Sequence, residues 1–159
     1  MFKKLLTWPV LLVLTATSPA FGQRQSPVPH QASEIEALVN KAAAVLKEQG
    51  SKAFGEFRKK GGPWRYADVY LFAMDMQGVV LLNAGHPNRE GWDMLNERDA
   101  DGKQFHVDLV EVVSKFGSGW VDYMFPRPGQ AISTVKWSYV CGTRVEGVEA
   151  LVGAGVYVD

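Results

Sequence analysis

With a single cysteine, Cys141, the chain can form no internal disulfide even in an oxidising compartment, and it carries no C-x-x-C-H haem site, paired-cysteine metal site or H-E-x-x-H helix. No G-x-S-x-G elbow is present either, and none of the three histidines has a second one nearby in sequence, which argues against a serine hydrolase and against a histidine-built metal centre. No cofactor motif stands out. Neither sign of charge is in excess, at 17 basic and 17 acidic side chains, so the electrostatic footprint of a nucleic-acid binder is missing. Long apolar runs are scarce too. The main one, residues 5–16, covers about 12 residues, or about 18 Å as a helix, against a hydrocarbon core of about 30 Å.

That run has a different meaning. Lys3 and Lys4 precede it, and Ser18, Pro19 and the small-residue site Ala20-Phe21-Gly22 follow, which is the pattern of a secretory signal peptide over residues 1–22 cleaved before Gln23. Retention as a poor membrane anchor is the alternative. Cys141 lies far from this site, so lipid attachment to a mature N-terminal cysteine is not expected, and the mature chain is expected in the periplasm or secreted. Cleavage removes two lysines and no acids, for a net charge of about −2. About 137 residues remain, one domain's worth and enough to bury a core.

Residues 23–31, with Pro27 and Pro29, read as a short extended leader to a single domain over residues 32–159. Ser33 and Glu36 have capping-box spacing, and Ile35, Leu38, Val39, Ala42 and Leu46 recur at helical spacing, predicting a long amphipathic helix to about Gln49. Gly50 interrupts it, Ser51 can recap it, and a shorter helix with Phe54 and Phe57 ends at Gly61-Gly62-Pro63. From Asp68 the aromatic and β-branched content predicts a strand to Asp75, turned at Met76-Gln77-Gly78 into a second strand over residues 79–82. Residues 83–97 form a long excursion suited to a pocket wall. Asp101 and Gln104 predict a capped helix through Phe116, stopped by Gly117. Residues 120–125, 131–141 and 148–158 complete an α+β domain: an antiparallel sheet of about five strands, a long helix leading in, and a helix and loop inserted after the second strand.

In order along the chain stand Phe54, Gly61-Gly62-Pro63, Asp68-Val69-Tyr70, Asp75 to Gly78, His86-Pro87, Gly91, Asp99 to Lys103, Gly119-Trp120 with Asp122-Tyr123, Lys136 to Tyr139, and Gly153 to Tyr157. Together these resemble the Cache domain family, in its single-module type 2 group, over about residues 33–159. The resemblance implies a PAS-like antiparallel sheet that binds small carboxylates, amino acids or similar metabolites outside the cell membrane. Members typically sit between two membrane helices of chemoreceptors or histidine kinases. This sequence shows no second span and no output module, so the expectation is a free-standing module that hands its ligand state to a membrane receptor or kinase, or simply holds a solute.

Lys136 stands among apolar and small neighbours on a strand, where a buried ammonium needs an anionic partner such as a ligand carboxylate; snorkelling from an edge strand is the other reading. Tyr139, Tyr123 and Tyr70 can add hydroxyls to the same anion, with core packing as their ordinary role. Period-2 alternation places Lys136 and Tyr139 on opposite faces, and a tight hairpin would set Trp120 near Lys136 and Tyr123 with Tyr139. His86 can line the pocket edge. Asp99, Asp101 and Gly102 echo part of a calcium loop but lack its closing glutamate. The bare stretch at Gly153 and Gly155 leaves room for a ligand or for the long helix. The expected function is small-molecule binding without catalysis. Its rivals are a protein-binding accessory to a membrane receptor or kinase and an enzyme pairing His86 with Asp75, Asp99 or Asp122; separately, the long N-terminal helix can serve as a homodimer interface.

Overall fold

The computed structural model describes residues 24–158; the expected signal peptide lies outside them. Helix α1 runs Pro29–Gln49 and starts earlier than the sequence predicts, because the fixed φ of Pro29 suits the first helical turn. The expected capping box is therefore not used: the Ser33 hydroxyl donates to the His30 carbonyl at 2.9 Å, and Glu36 instead accepts the Trp120 indole N–H at 2.8 Å. Ile35, Val39, Ala42, Ala43 and Leu46 form the buried face of α1. Gly50, at φ 58°, ends it, and a 3₁₀ turn Gly50–Ala53 leads into α2, Phe54–Phe57. Ser51 does not cap this segment; it hydrogen-bonds Glu146 from the neighbouring hairpin turn.

The strand expected from Asp68 to Asp75 is two. Strand β2, Val69–Tyr70, pairs with β1, Arg65–Tyr66, in a small hairpin, and β3, Phe72–Asp75, enters the main sheet. Strands β4, Val80–Asn83, β5, Ser118–Pro126, β6, Ser133–Val145, and β7, Val148–Val158, complete that sheet, antiparallel throughout in the order β4-β3-β7-β6-β5. This is the PAS-like arrangement that the resemblance implies. Strand β6 continues past Cys141 until Glu146 and Gly147, both at positive φ, turn the chain into β7. Helix α3, Phe105–Phe116, begins after Gln104 with no side-chain cap. Asp101 does not cap it. Asp99 organises the loop before it, accepting the N–H groups of Asp101, Lys103 and Met124.

Each face of the sheet carries its own core. Ala150, Val152, Ala154 and Val156 of β7 pack against α1 with Leu71, Ala73 and Leu82. On the other face Phe72, Met74, Val121, Tyr123, Phe125, Val140 and Leu151 pack against Phe105 and Leu109 of α3. Gly153 and Gly155 belong to this second face: a Cβ at 153 would lie 2.5 Å from the Phe72 ring, and one at 155 would lie 2.5 Å from the Ser138 hydroxyl. The bare stretch of β7 thus receives Phe72 and Ser138, not the long helix. Among the described residues no helix is long and apolar enough to cross a membrane.

Candidate functional site

Strand parity decides which of the six expected residues meet. In the β5–β6 pair Tyr123 lies opposite Lys136 and Trp120 opposite Tyr139. This reverses the expected pairing, because the connection takes residues 127–132 and shifts the register by an odd number of positions. Lys136, Tyr123, Tyr70 and His86 therefore gather on the α3 face. Trp120 and Tyr139 sit on the α1 face, their rings 5.5 Å apart, with Trp120 bonded to Glu36 and Tyr139 to Ser118 at 2.9 Å.

Lys136 is the centre of the first group. Only 1% of it is exposed, and its ammonium lies 4.1 Å from the Tyr70 ring centroid and 5.2–5.5 Å from those of Phe72, Phe125 and Tyr157. Rings at such distances favour the cation by about 0.5–2 kcal/mol for a well-placed face, against a desolvation cost of several kcal/mol for a buried ion. Desolvation wins. Burial, with Arg89 adding repulsion, pushes the Lys136 pKa down to about 7.

Lys136 Nζ donates to Tyr70 Oη at 2.8 Å, Tyr70 Oη lies 3.3 Å from Tyr157 Oη, and Tyr157 donates to the Pro126 carbonyl at 2.7 Å. Burial raises the pKa of Tyr70 well above the phenol range and that of Tyr157 to about 12, so both hydroxyls keep their protons. Gly85 provides the seat for Tyr70, since a Cβ there would lie 2.6 Å from the ring. Tyr123 stacks on Phe105 at 4.3 Å and shares a 2.9 Å hydrogen bond with Ser138.

The excursion closes the site from outside. His86 wedges edge-on against the rings of Tyr70 and Phe125, its Nε2 buried without a partner among the described residues, and burial plus the charges of Lys136 and Arg89 lower its pKa. Arg89 lies over the Phe125 ring and pairs with Glu97. Glu97 in turn stands 3.5 Å from Nδ1 of His106 on α3, which also bonds the Met94 carbonyl at 2.8 Å. Beneath the excursion is a cavity of about 20 Å³, room for about one water, where Lys136 and Arg89 share the lining with Tyr70, Tyr123 and the rings of Phe72, Phe105 and Phe125, while His86 stands outside that lining. A ligand larger than water requires part of this lining to move.

Sequence reasoning missed Arg89, Asn83, Phe105, His106, Leu109 and Phe125. Phe125 was legible as the alternation partner of Tyr123, whereas Arg89 and His106 join the site only through the fold of the excursion. Among the described residues no three His, Cys, Asp or Glu side chains gather as a metal site would require.

A five-stranded antiparallel sheet, flanked by a long N-terminal helix and carrying a small aromatic-lined cavity beside Lys136 and Arg89, defines an α+β domain of PAS-like architecture. The Cache domain family pattern matches residues 30–159, and the chain belongs to that family. It is 26% identical over 140 residues to the methyl-accepting chemotaxis protein McpP of Pseudomonas putida, but spans only 25% of that protein's length. Its fold is similar to a periplasmic sensor domain of a chemotaxis protein, with TM-score 0.67 and 28% identity over 82% of this chain and 96% of the other. It is also similar to a Cache chemosensory domain whose structure is described as the basis for carboxylic acid recognition, with TM-score 0.69 and 26% identity over 82% of this chain and 95% of the other.

Proposed function

We propose that this protein is an exported sensory module that binds a small carboxylate without catalysis, working in the periplasm and passing its ligand state to a membrane receptor or kinase. The observation that carries the reading is Lys136: a fully buried lysine lining a small cavity, with Arg89 in the same lining and no carboxylate of its own among the described residues. A ligand carboxylate supplies the missing charge. The small volume of the cavity and the Phe72, Phe105, Leu109 and Phe125 side chains in its lining favour a short aliphatic acid over a dicarboxylate. The family membership and the chemotaxis relatives support the sensory role.

Catalysis by His86 has little support in the geometry. Asp75 accepts the N–H groups of Gln77 and Val79, Asp99 holds its loop, and Asp122 pairs with Arg24 and Lys103, so each candidate acid is engaged away from His86. The test is a thermal-shift screen of residues 23–159 against acetate, lactate, pyruvate, dicarboxylates and amino acids, repeated with Lys136→Ala. A dose-dependent rise in Tm with a short monocarboxylate, lost in the variant, is the expected result. No shift with any carboxylate would overturn the reading.

A further inference from the structure

The acids nearest the site are all committed elsewhere: Glu97 to Arg89 and His106, Glu90 to Arg58 and the Asn83 N–H, and Asp68 to Arg127. The hydroxyl chain beside Lys136 also has a fixed direction. The Pro126 carbonyl can only accept, so Tyr157 must donate to it; Tyr157 then accepts from Tyr70, and Tyr70 accepts from Lys136. Lys136 is thereby a donor to one hydroxyl, and its remaining valences face aromatic rings and the cavity. A neutral amine brings two N–H donors to that single protein acceptor, whereas an ammonium brings three donors and an uncompensated charge.

We propose that the carboxylate binds together with one proton: Lys136 is a neutral amine in the unliganded cavity, and the arriving anion is paired by converting it to an ammonium with a proton taken from solvent. The step balances, because one N–H bond forms, the proton's positive charge cancels the anion's negative one, and the net charge buried in the site does not change. This inference rests on the carboxylate reading above. It makes the ligand thermodynamically a whole acid, although the anion is the species in solution.

The groups facing Lys136 leave it alone in its titration range. Tyr70 on β2, Tyr123 on β5 and Tyr157 on β7 have raised pKa values and keep their protons, His86 of the excursion is lowered and neutral above pH 7, and His106 on α3 titrates at about 4. Arg89 of the excursion is paired with Glu97. Phe72 and Phe125 do not titrate. The lowering of the Lys136 pKa to about 7 sets the range in which proton uptake is visible.

The experiment is calorimetric titration of the protein with acetate, lactate and pyruvate at pH 6, 8 and 9, each in HEPES and in Tris, whose ionisation heats differ. Uptake of about one proton per ligand is expected at pH 8 and of a small fraction at pH 6, with Kd weakening about tenfold per pH unit above 7. Lys136→Arg, which cannot lose its proton, should bind with no proton uptake and a Kd flat across the range. Should that variant fail to fold or bind, the wild-type proton count decides by itself. Binding with buffer-independent heat and a flat Kd would overturn proton-coupled capture while leaving carboxylate binding intact. No heat from any of the three acids at any pH would sink the carboxylate reading, and this inference with it.

Discussion

Lys136 faces Tyr123 directly across the β5–β6 ladder, and three residues along the same ladder Trp120 faces Tyr139 on the opposite side of the sheet. The two pairs therefore answer to different perturbations. Trp120→Phe and Tyr139→Phe should each cost about 0.5–1.5 kcal/mol of stability through the lost bonds to Glu36 and Ser118. Neither should change carboxylate affinity by more than about twofold, well under the tenfold that 1.4 kcal/mol represents. Denaturant melts and ligand titrations of the two variants check this, and a large loss of affinity in either would place the site on the α1 face instead.

The same ladder shows how much was legible in the sequence. The alternation of β6 made plain that Lys136 and Tyr139 face opposite sides, because strand period is a local property. Which side Trp120 and Tyr123 take depends on the length of the connection between β5 and β6, and an odd slip exchanges every partner. The element order, the long helix and the five strands followed from periodicity and glycine punctuation. Proline at the head of α1 outweighed the Ser33–Glu36 spacing, since Glu36 found a partner in Trp120, a contact 84 residues away that no local pattern encodes. For the same reason Arg89 and His106 were invisible: Glu97 brings them together across the folded excursion.

Replacing Lys136 by methionine should yield a more stable protein that no longer binds. An unpaired buried lysine is destabilising, and apolar replacement of buried charged groups stabilises by about 1–4 kcal/mol in favourable cases. The gain depends on pH. Folding lowers the Lys136 pKa from the usual 10.5 to about 7, so between those values the unfolded chain binds a proton that the native one does not, and wild-type stability rises with pH across that window. Lys136→Met should accordingly exceed wild type most at pH 6, and the gap should narrow toward pH 9. Thermal unfolding of both proteins without ligand measures it; a variant less stable than wild type at pH 6 contradicts the account.

Gly85→Ala tests the seat of Tyr70. The added methyl carbon would lie 2.6–2.7 Å from three ring atoms, so the ring must shift and the 2.8 Å bond to Lys136 must stretch or break. Overpacking of this kind costs about 1–3 kcal/mol, and carboxylate affinity should fall by about tenfold or more. Gly55→Ala on α2 is the control. A Cβ there meets nothing within 4 Å, so stability should hold or rise by up to about 1 kcal/mol with unchanged binding. Equal effects of the two substitutions would show that Tyr70 does not hold the site.

His106 ties α3 to the far end of the excursion through the Met94 carbonyl and Glu97, and its burial makes it a test of acid stability. Burial outweighs the attraction of Glu97 and lowers its pKa from 6.5 to about 4. As pH falls from 6.5 to 4 the unfolded chain gains a proton that native His106 refuses, so stability declines with acidification by about 3 kcal/mol from this group alone. His106→Gln, which cannot titrate, should remove that part of the decline. It should also be less stable at pH 7, where the imidazole's 2.8 Å bond to the Met94 carbonyl is disturbed. Urea melts of both proteins between pH 4 and pH 7 separate the two effects: the variant's curve should start lower and run flatter, whereas two parallel curves would mean that His106 takes up its proton in the native state and that the excursion, not the histidine, yields to acid.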